Sequence, residues 1–271
     1  DIAFTLMDLL DHGLPRLAWR LLSQYLEHTG DYAGLPLLRW FAIDRALVRA
    51  KVALLRARQA APDETGPAVA AAARRIGLAH GLAHPPPPRL IMTSGLSGSG
   101  KSTVALLLAE ALGAVRIRSD VERKRLHGMA PTGRPADPDL LYNPRATADT
   151  YGRLIDAARA ALEGGVSAVV DAAFLRRAER DAVRTLGRER QVECTVVECT
   201  APDEVLAARI EHRRAHQSDP SDADVGVLAL QMRVREPLAP DERAALTFST
   251  DGPEDSLSGR VDALVTRLGG E

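Results

Sequence analysis

The sequence predicts an α/β protein: a five-stranded parallel sheet with helices on both faces, preceded by a small all-α segment. Short apolar runs alternate with helical patterns from Arg89 onward, which is typical of such a sheet. Four consecutive prolines at 85–88 favour an extended spacer before that region. Six of the ten aromatic residues fall within the first 41 positions, which indicates two parts of different character. We therefore divide the chain into a helical segment at 1–80, a linker at 81–88 and an α/β domain at 89–271.

Helical spacing of apolar residues predicts four helices before the prolines. The first contains Leu6 and Leu10 and ends at Gly13, and the others are expected at about 15–28, 35–60 and 68–79. The proline and glycine of 62–66 predict a turn there. In the third helix, the positions expected to be buried are Leu38, Phe41, Ala42, Leu47, Val48 and Leu55.

The α/β domain is expected to contain five strands separated by helices. The predicted strands are 90–93, 115–118, 166–170, 192–198 and 246–249. The predicted helices are 102–112, 121–127, 145–163, 178–190, 202–214, 223–235 and 254–268. Five strands suffice for a doubly wound domain of this length.

Composition excludes several classes of protein. Apolar residues make up 45% of the chain and charged residues 26%, which is too apolar for a disordered chain. No run of about 18 apolar residues offers a membrane span, and no signal segment opens the sequence. The net charge of −1 argues against general binding of nucleic acids or anionic membranes. With only two cysteines, the chain is predicted to be cytoplasmic. The charge and the lack of an apolar span predict that it has no membrane partner.

The cysteines and the paired histidines predict no metal centre. Cys194 and Cys199 lie five apart in one apolar run, so in a strand they point to opposite faces and share neither a disulfide nor a metal. His212 and His216 are spaced to share a helix face, but no third ligand accompanies them. A solvated pair is therefore favoured over a zinc site.

The segment from Gly95 to Ser102 has the sequence GLSGSGKS, the phosphate-binding pattern G-x-x-x-x-G-K-[ST] between a strand and a helix. Glycines let backbone N–H groups converge on phosphate oxygens, and the following helix adds its positive amino-terminal end. We expect Lys101 to reach the β- and γ-phosphates of ATP, Ser102 to bind Mg²⁺ and Thr103 to bind the α-phosphate. The predicted nucleotide-binding residues are Gly95, Ser97, Gly98, Ser99, Gly100, Lys101, Ser102 and Thr103.

Val169-Val170-Asp171 is an apolar strand that ends in a carboxylate, which predicts a second Mg²⁺ contact at Asp171. The alternative is an aspartate that only ends the strand or caps a helix. Residue 172 is alanine, not the glutamate that many motor ATPases use to activate water. The sequence also lacks the N/T-K-x-D pattern for guanine and the Leu-Ser-Gly-Gly-Gln transporter signature. These absences favour phosphoryl transfer to a bound acceptor.

The second predicted strand is followed by Asp120, at the sheet edge where ligands bind in open α/β sheets. Asp120 is therefore a candidate to accept the proton of an acceptor hydroxyl. The alternative is structural, because Ser119 and Glu122 have the spacing of a capping box. Arg123 lies one helical turn further and is a candidate to bind the substrate or the transferred phosphate.

Two polar stretches are candidates to cover the site. Arg209 and Arg213 share a helix face at the start of the stretch 212–224, and arginines of a mobile lid would neutralise the moving phosphoryl group. An exposed helix end is the alternative. The segment 128–143 is rich in Pro, Gly and Asp and is long enough to form an acceptor-binding loop.

Residues 89–268 resemble a family of bacterial P-loop kinases of the AAA_33 type, related to gluconate kinase, polynucleotide 5′-kinase, chloramphenicol phosphotransferase and zeta-toxin kinases. The matching stretches are GLSGSGKST, IRSDVERKRLHG, YNPRATADTYGRL, VVDAAFLRRAERDA and SDADVGVLALQ. The resemblance implies an ATP-dependent phosphotransferase in which Asp120 matches the base and Arg209–Arg214 match the lid. It leaves the acceptor open, because those relatives phosphorylate sugars, nucleic-acid ends and antibiotics.

Residues 1–80 resemble the carboxy-terminal helices of an aminoglycoside-phosphotransferase-like domain found fused ahead of such kinases. The matching stretches are DIAFTLMDLL, YLEHTGDYAGLPLL and RALVRAKVALLRA. The His-Gly-Asp loop and the metal-binding aspartate of those domains are absent, and the chain opens at Asp1 without methionine. We expect a fragment of a longer domain that has no phosphotransferase activity of its own and whose partner is the missing amino-terminal part.

Together these features predict a kinase that binds Mg·ATP and phosphorylates a hydroxyl of a small molecule. Lys101, Asp120, Arg209 and Arg213 are its predicted catalytic residues, and Ser102 and Asp171 its predicted metal ligands. Two alternatives remain open. One is a kinase for nucleic-acid 5′ ends, which the basic cluster at 116–125 supports, and the other is a nucleotide-binding regulator or ATPase without an acceptor.

Overall fold

A computed structural model describes residues 1–59, 61–133, 139–216, 221, 225–242 and 246–269. The described chain contains a five-stranded parallel sheet with strands in the order β2-β3-β1-β4-β5. The strands are β1 Leu90–Ser94, β2 Ala114–Arg118, β3 Ser167–Asp171, β4 Cys194–Thr200 and β5 Leu246–Ser249. The predicted fold class is therefore confirmed, and each strand begins within two residues of its predicted start.

Helices precede the sheet and connect its strands. Before the sheet lie α1 Ile2–Asp11, α2 Pro15–Thr29, α3 Leu35–Ala57 and α4 Pro62–Ala83, with a short 3₁₀ turn at Tyr32–Gly34. Within the α/β region lie α5 Lys101–Leu112, α6 Ser119–Leu126, α7 Asp139–Tyr142, α8 Pro144–Glu163, α9 Arg177–Arg190, α10 Asp203–His216, α11 Val225–Val234 and α12 Glu254–Gly269, with a 3₁₀ turn at Pro240–Glu242.

Helices cover both faces of the sheet, as predicted. One apolar core contains side chains of α8 and α9 with alternate residues of the strands, such as Met92 and Val170. The opposite core contains side chains of α5 and α12 with the intervening strand residues, such as Ile91 and Val169. The two thiols belong to opposite cores and are both free, which confirms that the cysteines form no disulfide.

The helices before the prolines share a buried core with the sheet. Apolar residues of α1, α2 and α3 belong to the same cluster as those of α8 and the strands. The helix α2 lies along β2, the edge strand, and the Ser23 hydroxyl accepts a hydrogen bond from the Arg116 backbone N–H at 3.1 Å. This contact satisfies a backbone group that an edge strand leaves unpaired. The predicted domain boundary at the prolines stays a prediction.

The expected turn at 62–66 is wrong, because α4 begins at Pro62 and continues through this segment. Proline at the first position of a helix is well tolerated, since its missing N–H has no partner there in any case. Pro67 is close enough to the start to remove only one further backbone hydrogen bond.

The burial expected for the third helix is partly wrong. Leu38 and Ala42 are buried, but Phe41, Leu47, Val48 and Leu55 are exposed. The buried stripe of α3 consists mainly of alanines, namely Ala42, Ala46, Ala50, Ala53 and Ala57. Small side chains let α4 approach closely, so the alanine face takes the inner position and the large residues point outward.

No helix in the described part of the chain is long and apolar enough to cross a membrane.

Candidate active site

The phosphate loop needs its glycines for steric reasons. Gly95, Gly98 and Gly100 have φ angles of +147°, +82° and +73°, where side chains are strained. A Cβ atom at Gly95 would lie 2.5 Å from the Cys199 carbonyl oxygen, and one at Gly98 would lie 2.5 Å from the Leu206 carbonyl oxygen. The loop therefore packs against β4 and α10 through bare backbone. The N–H groups of Gly95, Ser97 and Ser99 donate to Ala173, Gln231 and Leu96, so the N–H groups that a ligand can reach are those of the other loop residues, such as Gly98 and Gly100.

Lys101 is the first residue of α5, at the positive end of that helix. Its ammonium group donates a hydrogen bond to the Leu96 carbonyl oxygen at 3.3 Å, so the side chain curls back over the loop. A phosphate bound to the loop would lie beside this ammonium.

Ser102 and Asp171 lie together, as a shared role in metal binding requires. The Ser102 hydroxyl donates a hydrogen bond to Asp171 Oδ1 at 3.2 Å. Asp171 is only 3% exposed, and its Oδ2 is buried without a hydrogen-bond partner among the described residues. Arg118 Nε lies 3.6 Å from that oxygen. A carboxylate oxygen beside a hydroxyl is the donor set that Mg²⁺ prefers, so these residues fit the metal.

One cleft extends from the loop between α10 and the segment after β5. It has a volume of about 600 Å³ and contains the predicted Thr103 and Arg213. We call it the nucleotide cleft. The lining residues that the argument uses are Gly98, Gly100, Lys101, Ser102, Thr103, Arg209, Arg213 and Thr250.

Arg209, predicted to belong to a mobile lid, forms hydrogen bonds with the phosphate loop and with Thr250. Its guanidinium donates to the Gly98 carbonyl oxygen at 3.3 Å and to the side-chain and backbone oxygens of Thr250, both at 2.9 Å. The Thr250 hydroxyl in turn donates to the Ser99 carbonyl oxygen at 2.9 Å. In this structure Arg209 thus joins the loop to the wall of the nucleotide cleft, and the catalytic roles of Arg209 and Arg213 stay predictions.

A second cleft of about 330 Å³ opens on the other side of Lys101. We call it the acceptor cleft. It contains Asp120 and Arg123 at its polar end and side chains of α8 and α11 on its walls. The lining residues that the argument uses are Ser97, Lys101, Asp120, Arg123, Tyr142, Tyr151, Leu230 and Gln231. Lys101 lines both clefts, so they meet at the phosphate loop.

The capping box proposed for Ser119 and Glu122 is wrong. The residue that caps α6 is Arg118, and Ser119 is already helical. Glu122 is fully buried and bound elsewhere: its carboxylate accepts from Tyr32 at 3.2 Å and from Arg125 and Arg153 at 3.2 and 3.1 Å. These partners anchor the helix that carries Asp120. Burial and the charge of Glu122 raise the pKa of Tyr32 well above its usual value, so this phenol stays protonated as the donor.

Arg123 has the surroundings of a ligand-binding group. It is 8% exposed, donates to the Leu141 carbonyl oxygen at 3.0 Å, and its guanidinium lies 4.7 Å from the centre of the Tyr142 ring. Its Nε is buried and has no hydrogen-bond partner among the described residues. A buried donor without a partner is costly unless a ligand or water supplies one.

A second buried ion pair connects the helices before the sheet with the phosphate-loop helix. Arg116 donates to Glu27 Oε1 through Nε at 2.9 Å and Nη2 at 2.7 Å. Its Nη1 donates to the Ser102 carbonyl oxygen at 3.1 Å. Glu27 of α2 therefore supports, through Arg116, the turn of α5 that carries the predicted metal ligand.

Several contacts of the site were not anticipated from the sequence. Gln231 accepts from the Ser97 N–H, Thr250 joins Arg209 to the loop, and Tyr151 accepts from the Phe174 N–H at 3.3 Å beside the acceptor cleft. Phe174 has a φ of +45°, which is strained for a non-glycine residue. Tyr151 and Gln231 lie within the stretches that carry the family resemblance, but no local pattern assigns these contacts, because each residue is joined to the site by the tertiary fold.

Both cysteine thiols are held in the neutral form by burial, which raises the pKa of each. Burial raises the pKa of the Cys199 thiol to about 12, so the group stays neutral although Lys101 opposes the shift. No group of three metal-binding side chains occurs in the part of the chain that the structure describes. The expectation that His212 and His216 form no zinc site stays a prediction.

Parts of the two predicted covering segments lie outside the described residues. Within the predicted acceptor loop 128–143, residues 134–138 are not described, and α7 supplies Tyr142 to the acceptor cleft. Within the predicted lid, residues 217–220 and 222–224 and the side chain of Arg214 are not described. The predicted roles of those residues stay predictions.

A family model described as an AAA domain matches residues 90–238, more than half of the chain. The chain belongs to the AAA_33 family. The matched AAA_33 region contains the phosphate loop, Asp120, Asp171 and Gln231, whereas Thr250 lies beyond it.

Mycobacterial proteins are relatives of this AAA_33 protein. An uncharacterized protein of Mycobacterium tuberculosis is 33% identical over 221 residues, which are 81% of this chain and 44% of that protein. The chain thus spans less than half of the length of the curated relatives it matches.

Two solved structures share the fold of the AAA_33 region. A candidate kinase of Chloroflexus aurantiacus is 23% identical with a TM-score of 0.54, over 67% of this chain and 98% of that chain. A sugar kinase of a Janibacter species is 23% identical with a TM-score of 0.50, over 66% of this chain and 95% of that chain. At this identity the likeness shows a kinase-like P-loop fold and nothing about the substrate.

Proposed function

We propose that this chain is a Mg·ATP-dependent kinase that transfers the γ-phosphoryl group to a hydroxyl of a small molecule. The observation that carries the proposal is the position of Lys101, which lines both the nucleotide cleft and the acceptor cleft. A phosphoryl group moving between two substrates must pass such a shared point. The size of the acceptor cleft, about 330 Å³, suits a small molecule.

On the nucleotide side, the glycine loop would hold the phosphates through its backbone N–H groups, with Lys101 neutralising their charge. Ser102 and Asp171 would hold Mg²⁺, which supplies positive charge to the phosphates when bound. Thr103 and Arg213 line the same cleft and would bind the nucleotide beyond the loop. Arg209 would keep the loop and the Thr250 wall together, from the three hydrogen bonds that it donates.

On the acceptor side, Asp120 would accept the hydroxyl proton as the oxygen attacks phosphorus. The carboxylate is half-buried and forms no hydrogen bond or ion pair with the described residues, so it is available to a ligand. Arg123 lies one turn away with an unsatisfied Nε and would bind the acceptor or the phosphate in transfer. Enclosure by α11 would exclude water, which favours the acceptor over hydrolysis.

The alternative of a kinase for nucleic-acid ends loses its main support. The basic cluster at 116–125 suggested a surface for phosphates, but Arg116, Arg118, Arg123 and Lys124 are buried. Arg125 is occupied by Glu122 and by backbone oxygens at the end of α2. A strand or helix of nucleic acid binds to exposed cations, which these residues do not provide.

The proposal is tested with the full chain, γ-labelled ATP, Mg²⁺ and a fractionated metabolite pool, followed by mass identification of the labelled product. Label in one small molecule, absent with Lys101→Ala, supports the proposal. A labelled oligonucleotide 5′ end in a parallel reaction, or release of phosphate with no labelled acceptor in any fraction, contradicts it. The last outcome indicates the ATPase or regulator instead.

A separate proposal concerns the helices before the prolines. We infer that residues 1–80 are the carboxy-terminal helices of an aminoglycoside-phosphotransferase-like domain, from the matching stretches described above. The exposed Trp40, Phe41 and Leu55 on α3 support this, because they form an outer apolar face. A structure of one of the longer relatives tests it: a different fold around these helices contradicts the assignment.

A further inference from the structure

Gln231 joins the phosphate loop to the acceptor cleft. It lies on α11, and its side-chain oxygen Oε1 accepts a hydrogen bond from the Ser97 backbone N–H at 2.7 Å. The same side chain lines the acceptor cleft with Lys101 and Asp120. A residue 134 positions away in the sequence thus occupies one of the N–H groups that a phosphate-binding loop offers.

The hydrogen bond fixes the orientation of the amide. A backbone N–H can only donate, so the atom of Gln231 that faces Ser97 is the oxygen, and the NH₂ group is directed elsewhere. Nε2 has no hydrogen-bond acceptor among the described residues. Because Gln231 lines the acceptor cleft, the two N–H donors of Nε2 can bind a ligand in that cleft.

The end of the loop near Gln231 is the end where the terminal phosphate would lie. Gly98, Gly100 and Thr103 line the nucleotide cleft, Ser97 lines the acceptor cleft, and Lys101 lines both. A nucleotide whose base and sugar lie in the nucleotide cleft therefore directs its last phosphate toward Ser97. A diphosphate is one group shorter and ends before that point.

We propose that Gln231 recognises the γ-phosphate and so lets the site distinguish a nucleoside triphosphate from a diphosphate. Oε1 holds the Ser97 N–H, and Nε2 donates to a γ-phosphate oxygen. This inference rests on the proposed function, since it assumes that the loop binds ATP.

The test compares two nucleotides with the full chain in excess Mg²⁺, by titration calorimetry. The ligands are ADP and the β,γ-imido analogue of ATP. Gln231→Met keeps the length of the side chain and removes both hydrogen bonds; we expect about tenfold weaker binding of the triphosphate analogue, with ADP changed less than about twofold. Met232→Ala, next to Gln231 on α11 but exposed and outside the linings of both clefts, is the control and should change neither affinity.

A second variant separates the two ends of the amide. Gln231→Glu keeps an oxygen for the Ser97 N–H but places a second oxygen where Nε2 stood, which repels a phosphate. We expect a loss for the triphosphate analogue at least as large as with Gln231→Met. Wild-type affinity in Gln231→Glu would overturn the inference, because only the bond to Ser97 would then matter.

The remaining outcomes are also decisive. An equal loss for both nucleotides would mean that Gln231 only supports the loop, and no loss would mean that it contacts no phosphate; both overturn the inference. A wild-type chain that binds neither nucleotide overturns the proposed function together with it. If the wild type binds both nucleotides, and both Gln231 variants keep the wild-type ratio of the two affinities, the proposed role of Gln231 is overturned while the proposed function stands.

Discussion

The nucleotide cleft and the acceptor cleft meet at Lys101 but are built differently. On the nucleotide side, Arg209 bonds the loop to Thr250 and Ser102 bonds to Asp171, while the Ser99 hydroxyl and Asp171 Oδ2 are buried without a hydrogen-bond partner among the described residues. On the acceptor side Asp120 and the Nε of Arg123 have no hydrogen-bond partner among the described residues. Hydrogen bonds between its wall residues hold the nucleotide side in one arrangement, and the open Asp171 Oδ2 beside Ser102 is the oxygen that a metal ion would need. The difference teaches that the walls of the nucleotide cleft are held by the protein itself, whereas the two polar groups of the acceptor cleft would obtain their partners from a ligand.

Lys101→Ala is expected to have the largest effect, because this residue belongs to both clefts. Loss of the ammonium should lower the rate of label transfer from γ-labelled ATP by about a thousandfold, since charge on the moving phosphoryl group goes unneutralised. An unchanged circular dichroism spectrum and melting temperature would show that the fold is kept. If Lys101→Ala transfers phosphate at the wild-type rate, Lys101 is not the point at which the two clefts act together.

Asp120→Asn separates the acceptor side from the nucleotide side. Transfer to the acceptor should fall by about a hundredfold or more, because the amide cannot accept the hydroxyl proton. The affinity for the β,γ-imido analogue of ATP should stay within about twofold of wild type. The matched control is Asp156→Asn, an exposed carboxylate on α8, which should leave transfer unchanged. Equal losses in transfer and in nucleotide affinity would contradict the division into two sides.

Gly98→Ala perturbs the nucleotide side alone. Its Cβ would lie 2.5 Å from the Leu206 carbonyl oxygen at a φ of +82°, so the loop must shift. We expect at least tenfold weaker binding of both ADP and the triphosphate analogue, measured by calorimetry. Gly152→Ala is the control: nothing lies within 4 Å of the added atom on α8, and the variant should be more stable by up to about 1 kcal/mol with normal binding. Wild-type affinity of Gly98→Ala for both nucleotides would show that the loop can shift without losing its ligand, and so is not held in one arrangement.

Glu27→Gln has the smallest expected effect and tests how the nucleotide side is supported from α2. Weakening the buried pair with Arg116 should lower the free energy of unfolding by about 2 kcal/mol, measured by urea denaturation. Asp262→Asn is the control, because its ion pair with Arg16 is exposed on both sides and should contribute less than about 0.5 kcal/mol. If Glu27→Gln and Asp262→Asn lower the free energy of unfolding equally, the Glu27–Arg116 pair contributes no more to stability than an exposed ion pair.

The nucleotide side was predictable because its chemistry is local in sequence. The loop, Lys101 and Ser102 follow one strand directly, and Asp171 ends another. Parallel strands end at one edge of a sheet, so two strand ends sufficed to place Asp171 near Ser102. Their 3.2 Å contact agrees with that placement.

On the acceptor side, single residues could be predicted only where they follow a strand, at Asp120 and Arg123, and the segment 128–143 with Tyr142 could be predicted only as a whole. Leu230 and Gln231 come from a helix that tertiary packing brings to the cleft, and spacing within that helix does not show which cleft its residues line. The same reason explains the error at α3. Apolar spacing marked Leu47 and Leu55 as buried, but the close approach of α4 selects the alanines instead.

The cover that α2 provides for β2 has a consequence for how this protein can be handled as a fragment. A shortened chain that begins at Arg89 would retain the whole AAA_33 match but lose Ser23 and Glu27, the partners of Arg116 on the edge strand. The freed edge would present backbone donors and acceptors to other copies of the same strand, which is a common start of aggregation. A recombinant AAA_33 region that begins at Arg89 is therefore expected to be poorly soluble, and including the helices from α1 onward is the remedy.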